Sequence, residues 1–275
     1  MSIEIIIRLI AFIGVFLIIA LWENKQPRRP LTLNKTKRWL NNLGLVVVNT
    51  IILRLVFPSA AVGMAALASE QGWGILNQVS LGFGLSVAIS IVALDFVIYL
   101  QHVLFHSIPL LWRLHMVHHA DMDYDVTTGL RFHPIEILLS MLIKFATILV
   151  LGPPVVAVII FEIVLNATAM FNHGNLRLPQ RIDAILRLMI VTPDMHRVHH
   201  SVIKRETNSN YGFNLSIWDR LFGTYRAQPQ YGHEGMTIGL NQFRDQKKQN
   251  LHWLLMLPFT GKTGEYPINR DDESR

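Results

Sequence analysis

The sequence contains no cysteine, so the chain forms no disulfide bond within itself and cannot ligate an iron–sulfur cluster or a thiolate haem. It also lacks a complete Gly-x-Gly-x-x-Gly motif, a His-Glu-x-x-His motif and any Glu-x-x-His pair. These absences exclude the fingerprint of a dinucleotide site, the common zinc-peptidase helix and the carboxylate ligands of ferritin-like di-iron proteins. Any redox chemistry must therefore use other ligands and an outside source of electrons.

Charged side chains are scarce. Only 16% of the 275 residues are charged and 51% are hydrophobic, which is too apolar for an ordinary soluble domain of this length. A soluble helical core is disfavoured, because its helices normally carry a polar stripe. We predict an all-α, integral-membrane helical bundle of about four to five spans, with the first run retained as an anchor. The apolar runs lie at about 3–22, 40–68, 81–101, 135–151 and 153–171.

Basic residues give the chain a net charge of +6 and cluster beside the predicted spans. Within 23–39, one acid, Glu23, is outnumbered by six basic residues: Lys25, Arg28, Arg29, Lys35, Lys37 and Arg38. The positive-inside rule predicts that this loop is cytoplasmic. Anionic lipid headgroups explain the basic residues more simply than a nucleic-acid partner, which we do not expect.

The remaining spans occur in pairs, so after each pair the chain returns to the side of the membrane that it left. The second pair turns at Gly152-Pro153-Pro154, residues that end one helix and begin another. We therefore expect a multi-pass membrane protein whose histidines and C-terminus are cytoplasmic. It is predicted to form one membrane domain: an N-terminal span (1–22), a span hairpin (40–101), two histidine boxes (102–134), a second hairpin (135–171), a third box (172–225) and a cytoplasmic tail (226–275).

Ten of the 12 histidines lie between 102 and 200, and their spacing is regular. One pair is separated by four residues, and two HxxHH boxes have positions i, i+3 and i+4, which project from one side of a helix. The remaining two, His233 and His252, are interpreted as structural. The ten candidate metal ligands are His102, His106, His115, His118, His119, His133, His173, His196, His199 and His200.

Imidazole ligands suit zinc, copper, iron and nickel, and no single metal site needs ten of them. Two ions with about four to five nitrogens each is the natural division. Two bis-histidine haems would use only four ligands and leave the HxxHH triplets unexplained. The boxes supply eight histidines, and His133 and His173 are the only others in the region that can complete the set.

The segment from Asp95 to Tyr225 resembles the fatty acid hydroxylase and sterol desaturase superfamily of membrane proteins. The resemblance rests on DFVIYLQHVLFH, LWRLHMVHH, RFHP, FNHGN, DMHRVHHS and NSNYGFNLSIWDRLFGTY. It implies a cytoplasmic helical cap that holds two iron ions, for which zinc can substitute on expression, and the use of O2 as co-substrate. Gln101 departs from the pattern, in which a bulky aromatic residue is common.

The resemblance implies a non-haem di-iron oxidoreductase that hydroxylates or desaturates a lipid C–H bond. Electrons would come from an external reductase, ferredoxin or cytochrome. The residues do not choose between hydroxylation and desaturation, nor among a sterol, a fatty acyl chain, an alkylglycerol and a carotenoid. A membrane metal carrier that uses the same histidines is the alternative function.

Metal-bound histidines usually donate their second ring N–H to an oxygen atom, so nearby polar residues are candidates for orienting them. Asp95 and Tyr99 share a helical face with His102 and His106, and Asp194 adjoins the last box. A buried ion pair with Arg54 is the alternative role for Asp95. The resemblance adds Asn172, Asn210 and Asp219 as weaker candidates.

Overall fold

The computed structural model of the chain describes residues 3–260 and 263–268. Within these ranges the fold is helical, with three isolated β-bridges and no strand, which confirms the all-α prediction. The α-helices are α1 (Ile3–Lys25), α2 (Lys35–Val56), α3 (Ala60–Glu70), α4 (Ile75–Gln78), α5 (Phe83–Ser107), α6 (Pro109–His119), α7 (Pro134–Leu151), α8 (Val155–Asn172), α9 (Gln180–Leu186), α10 (Pro193–His199), α11 (Lys204–Thr207), α12 (Ile217–Leu221), α13 (Gly232–Gly235) and α14 (Leu251–Met256). Short 3-10 helices lie at Thr128–Leu130, Gln246–Gln249 and Leu257–Phe259.

Five segments of the described chain are long and apolar enough to cross a membrane: α1, the stretch from α2 to α4, α5, α7 and α8. They coincide with the five predicted apolar runs, and the protein is an integral-membrane protein. The second run differs in detail, because the helix is interrupted at Phe57–Ser59 around Pro58, which has no N–H for the helical ladder. Helix α5 continues as far as Ser107, so the membrane helix itself carries His102 and His106.

Contacts at the two ends of the bundle agree with the pairing of the spans. The loop between α1 and α2 meets the histidine-bearing segments: the Thr32 N–H donates to Asp123, and the Arg28 N–H donates to the Asn175 carbonyl oxygen (2.9 Å each). At the opposite end the tips of the two hairpins touch. Gly74 lies so close to Gly152 that a Cβ atom added to Gly74 would be only 2.2 Å from the Gly152 nitrogen. The basic loop and the histidines therefore share one end of the bundle.

Small side chains allow close packing inside the membrane part. Ala61, Ala65 and Ala68 are fully buried on one face of α3, where it packs against α7 and α8. Small residues of this kind let helix backbones approach closely when lipid supplies no hydrophobic driving force. Helix α8, which ends beside His173, is thus packed closely against α3.

Proline and capping residues fix where the site-bearing helices begin. Pro109, Pro134 and Pro193 occupy the first turns of α6, α7 and α10. At α10 the Thr192 hydroxyl accepts the Met195 N–H. Gly152 ends α7 with φ +66°, a left-handed conformation that glycine adopts without a Cβ clash.

Candidate metal centre

Nine of the ten predicted ligands form two adjacent groups. In each group one nitrogen of every ring lies within 4.8 Å of the others, and every member is buried. The first group contains His102, His106, His115, His119 and His199. The second group contains His118, His173, His196 and His200. The division into five and four agrees with the expected four to five nitrogens for each of two metal ions.

The structure divides each HxxHH box between the two groups. On α6, His115 and His119 enter the first group while His118 enters the second. At α10 the division is reversed, with His199 in the first group and with His196 and His200 in the second. Positions i and i+4 share a helical face, whereas i+3 is rotated from it, so one helix can serve two neighbouring sites.

Hydrogen bonds from Nδ1 fix the direction of five rings. His102 donates to the Tyr211 carbonyl oxygen (2.8 Å), His173 to that of Ala169 (2.7 Å) and His199 to that of Ser209 (2.7 Å). A carbonyl oxygen only accepts, so in these rings Nδ1 carries the proton and Nε2 is left with a lone pair. Their Nε2 atoms face the interior of the two groups.

Side chains orient the other two of these five rings. His115 Nδ1 lies 2.6 Å from the Glu136 carboxylate, and His106 Nδ1 lies 3.0 Å from Asn208 Oδ1. The Asn208 amide nitrogen donates to the Tyr266 carbonyl oxygen (2.7 Å), which fixes the amide so that its oxygen faces His106. Oxygen partners of this kind orient metal-bound imidazoles and raise their basicity.

Several pairs of ring nitrogens lie at the spacing expected for two ligands of one metal ion. His102 Nε2 and His115 Nε2 are 3.1 Å apart, and His173 Nε2 is 3.1 Å from the Nε2 atoms of both His118 and His196. Nδ1 of His102 and of His173 carries the proton, so the Nε2 lone pairs of these two rings point at the neighbouring rings. Two nitrogens bound to one ion at about 2.1 Å are separated by about 3.0–3.4 Å, which matches this spacing.

Electrostatics keeps these rings neutral. Burial lowers the pKa of His115 and of His173 to about 3. Burial and the neighbouring imidazoles together hold the pKa of five more histidines well below the usual value: His118, His119, His196, His199 and His200. Neutral imidazole is the form that binds a metal.

Several buried ring nitrogens also have no hydrogen-bond partner in the described part of the chain, among them the Nε2 atoms of His106, His119, His199 and His200. The residues present therefore fit two metal ions.

His133 is not brought to either group. It caps the start of α7, where its Nδ1 accepts the Ile135 N–H (3.2 Å) and its Nε2 lies 3.1 Å from the Leu255 carbonyl oxygen. Both ring nitrogens thus face backbone groups, and we leave His133 out of the ligand set that we propose. His233 and His252 also lie outside the two groups, as expected for structural histidines.

Asp95 and Tyr99 support the segment that follows the third box. Asp95 Oδ2 accepts from Trp218 Nε1 (2.8 Å) and from the Leu215 N–H (3.3 Å). The Tyr99 hydroxyl lies 3.0 Å from the Thr224 hydroxyl. Among the described residues Asp95 forms no ion pair with Arg54. The structure therefore connects Asp95 to a neighbouring segment and not directly to a histidine ring.

The Asp95–Trp218 hydrogen bond gives the first testable prediction. Asp95→Ala leaves the half-buried Trp218 N–H without its acceptor, which should lower the stability of the folded protein by about 1–3 kcal/mol. Thermal unfolding of the protein in detergent measures the loss, and Trp218→Phe should reproduce most of it. Arg54→Ala is the control and should leave the unfolding temperature unchanged; an equal loss in Arg54→Ala would support the ion-pair role instead.

Asp194 lies in an ion-pair network at the rim of the site. It pairs with Arg197 on its own helix and with Arg28 of the α1–α2 loop (3.3 Å), and His233 Nε2 is 3.6 Å away. These cations hold the pKa of Asp194 below its usual range although partial burial opposes them. Asp194 therefore joins α10 to the basic loop, and none of its described partners is one of the nine histidines.

Asp219 shapes the backbone that orients His102. Its carboxylate accepts hydrogen bonds from the N–H groups of Tyr211 (2.7 Å) and Gly212 (2.8 Å). The Tyr211 carbonyl oxygen, which accepts the hydrogen bond from His102, lies next to them. Burial raises the pKa of Asp219 to about 6 although these hydrogen bonds oppose the shift. Asn210 uses its amide to bind the Met195 carbonyl oxygen (2.8 Å), and Asn172 binds that of Phe213 (2.9 Å). All three hold backbone around the histidines.

Sequence reasoning missed two kinds of supporting residue. Glu136 carried a signal, because it is a carboxylate in the first turn of an apolar helix directly after the RFHP motif. The acids that follow the second box carried another: Asp121 accepts from Arg38 (2.7 Å), and Asp125 also pairs with Arg38 and accepts from Trp39 (2.9 Å). This buried network joins α2 to the loop after α6.

A cavity of about 400 Å³ lies between α1, α2, α5, α7 and α8. Its inner end is formed by Phe132, Phe213 and Glu136. The Phe132 ring stacks on His118 with 4.6 Å between ring centroids, and the Phe213 ring lies 6.4 Å from His102. An apolar chain in this cavity would therefore reach the histidine groups from the membrane side.

The fold and the site define an integral-membrane protein with a buried, all-histidine centre suited to two metal ions. The fatty acid hydroxylase family model matches residues 87–224, half of the chain, and the protein belongs to that family.

Curated relatives agree with this assignment. Ornithine lipid hydroxylase OlsE of Rhizobium tropici is 28% identical over 235 residues, which cover 80% of this chain and 67% of the relative. Alkylglycerol monooxygenase of Homo sapiens is 30% identical over 163 residues, 58% of this chain and 34% of the relative. Fatty acid hydroxylase vlmA of Lecanicillium sp is 29% identical over 171 residues, 57% and 46% of the two chains. The chain thus spans about a third of the human relative. No solved structure matches it.

Proposed function

We propose that the protein is an O2-dependent monooxygenase that hydroxylates a C–H bond of a membrane lipid. The observation that carries the proposal is the pair of buried histidine groups at the inner end of a cavity between the membrane helices. Bound at these nitrogens, two iron ions would supply the activation of O2 and the oxidation of the C–H bond. The names of the relatives favour hydroxylation over desaturation.

The residues of this chain would bind the metal ions, orient the ligands and exclude water. Nine neutral imidazoles offer nitrogen ligands, and the oxygens of Glu136 and Asn208 and of three carbonyl groups hold five of the rings in place. Phe132 and Phe213 line the end of the cavity next to the ligands, so hydrocarbon and not bulk water would meet the centre there. The burial of every ligand argues against the alternative of a metal carrier, whose ligands must exchange.

The proposed reaction needs electrons from outside the chain. No flavin or nicotinamide fingerprint is present in the sequence, so a separate reductase, ferredoxin or cytochrome would deliver two electrons for each O2. The proposed side for this exchange is the cytoplasm, where the basic loop between α1 and α2 would attract an acidic donor.

Oxygen labelling tests the proposed activity directly. Protein reconstituted with iron, a lipid extract and an electron donor should add one oxygen atom to a lipid, and that atom should carry the isotope when 18O2 replaces air. Comparative lipidomics of cells with and without the protein identifies the candidate lipids. Loss of two hydrogens without added oxygen would show a desaturase; no change in any lipid under conditions of full metal loading would contradict the proposal.

Cysteine labelling tests the proposed orientation. The chain has no cysteine, so single cysteines introduced at the exposed positions Lys37 and Arg205 have no background. Both should react only after a membrane-impermeant maleimide gains access to the cytoplasm, because the spans between them occur in pairs. A cysteine at Gln71, near the tips of the hairpins, is the control and should react from the opposite side. Labelling of Lys37→Cys and Arg205→Cys from different sides would overturn the topology.

A further inference from the structure

The wall of the cavity carries charged side chains that the proposed centre does not use. Lys144 Nζ lies 2.6 Å from Glu162 Oε1, and Arg8 lies 2.7 Å from Glu162 Oε2 and 2.9 Å from Glu4. Arg54 lines the same cavity. All five residues belong to segments that are long and apolar enough to cross a membrane. Ionisable groups are costly there and usually mark a ligand site or a pathway.

These charges leave one cation without a partner. Lys144 and Arg8 are balanced by Glu162 and Glu4, whereas the Arg54 side chain forms no ion pair or hydrogen bond with the described residues. Glu136, the other carboxylate of the cavity wall, already accepts from His115. Arg54 is therefore the cation of the cavity wall that no described carboxylate contacts, and an anionic ligand would complement it.

A polar stripe extends along the same wall. Glu136, Ser140 and Lys144 follow one another at intervals of four residues on α7, and all three line the cavity. Gln101 of α5 donates to the Ser140 hydroxyl (3.1 Å) beside them. Eight residues of helix separate Glu136 from Lys144, about 12 Å along the axis. The two ends of the cavity would thus contact different parts of an elongated molecule.

We propose that the lipid substrate carries an anionic group, a carboxylate or a phosphate, which binds Arg54 and Lys144 on the cavity wall. The hydrocarbon of the same molecule then extends toward Phe132 and Phe213, where its C–H bond meets the histidine centre. This inference rests on the proposed function, because it takes the cavity as the route to that centre. It adds the requirement of a negative charge remote from the oxidised carbon.

Binding measurements with matched probes test the inference without catalysis. The probes are a long-chain fatty acid, the alkyl monophosphate of the same chain and the alcohol of the same chain, measured by native mass spectrometry of the purified protein in a non-ionic detergent. Wild-type protein should bind one or both anionic probes about 10-fold more tightly than the alcohol, since a hydrogen bond to a charged group contributes about 1.5–3 kcal/mol. The stronger of the two identifies carboxylate or phosphate as the recognised group.

Variants assign the preference to the cavity. Arg54→Gln should reduce it to about threefold or less, and this residue has no structural partner whose loss would disturb folding. Lys37→Gln, an exposed cation on the same helix, is the matched control and should keep the full preference. The double change Lys144→Gln and Glu162→Gln removes one cation and one carboxylate and leaves Arg8 paired with Glu4, and it should also weaken both anionic probes.

The results separate this inference from the proposed function. Equal binding of the alcohol and the anionic probes by wild-type protein, or an unchanged preference in both cavity variants, would overturn the inference even if the protein hydroxylates a neutral lipid. Selective binding of the anionic probes that Arg54→Gln abolishes would support it, even if no oxygen is inserted and the proposed function fails.

Discussion

Purified protein loaded with iron is expected to hold two metal ions per chain, and His118→Ala should lower that number to about one. His118 belongs to the group of four, so its loss leaves only three imidazoles, whereas His199→Ala leaves four in the other group. We expect His199→Ala to keep more metal than His118→Ala, and both variants to lose lipid hydroxylation. Elemental analysis of monodisperse protein measures the metal content, and X-ray absorption should give metal–nitrogen distances of about 2.0–2.2 Å.

Two controls make this experiment specific. His252→Ala changes a histidine far from both groups and should keep both ions. His133→Ala distinguishes nine ligands from ten: its ring faces backbone groups, so this variant should also keep both ions. A single ion in well-folded wild-type protein, or full occupancy in both His118→Ala and His199→Ala, would contradict the two-metal centre.

Glu136→Gln is expected to weaken metal binding and to lower activity by about 10–100-fold, the usual effect of losing an oxygen partner of a metal-bound histidine. Among the described residues Glu136 is the carboxylate that is hydrogen-bonded to a ligand ring, with 2.6 Å between its oxygen and His115 Nδ1. A neutral amide holds the ring less firmly and makes Nε2 less basic. Competition with a metal chelator measures the affinity for each ion.

The same change should leave the metal-free fold intact, because glutamine keeps the length of the side chain and a hydrogen-bond acceptor. Thermal unfolding of metal-free protein checks this expectation. Glu70→Gln, at the exposed end of α3, is the matched control and should alter neither metal affinity nor activity. An affinity for metal that stays at the wild-type value in Glu136→Gln would show that this carboxylate does not tune the centre.

The helical framework was accessible from sequence because length and hydropathy alone define it. A run of about twenty apolar residues cannot leave its backbone groups unpaired in lipid, so it must be helical. The exact boundaries depended on residues with special backbone geometry. Gly152 and the prolines after it were recognised, whereas the interruption around Pro58 was not, because the apolar run continues through it.

From the residues alone we predicted that ten histidines act together, because their spacing on helices and their excess over any haem or zinc motif point to one centre with two metal ions; nine of the ten lie in the two groups. How they divide depends on the packing of the helices, since whether His118 joins His115 or His173 is set by the rotation of α6 against α8 and α10. The same holds for His133, which caps α7 instead of joining a group, and for Asp95, whose partner Trp218 lies 123 residues away. Spacing along a helix fixes which side chains share a face, but contacts between distant segments are set by packing, which no local pattern encodes.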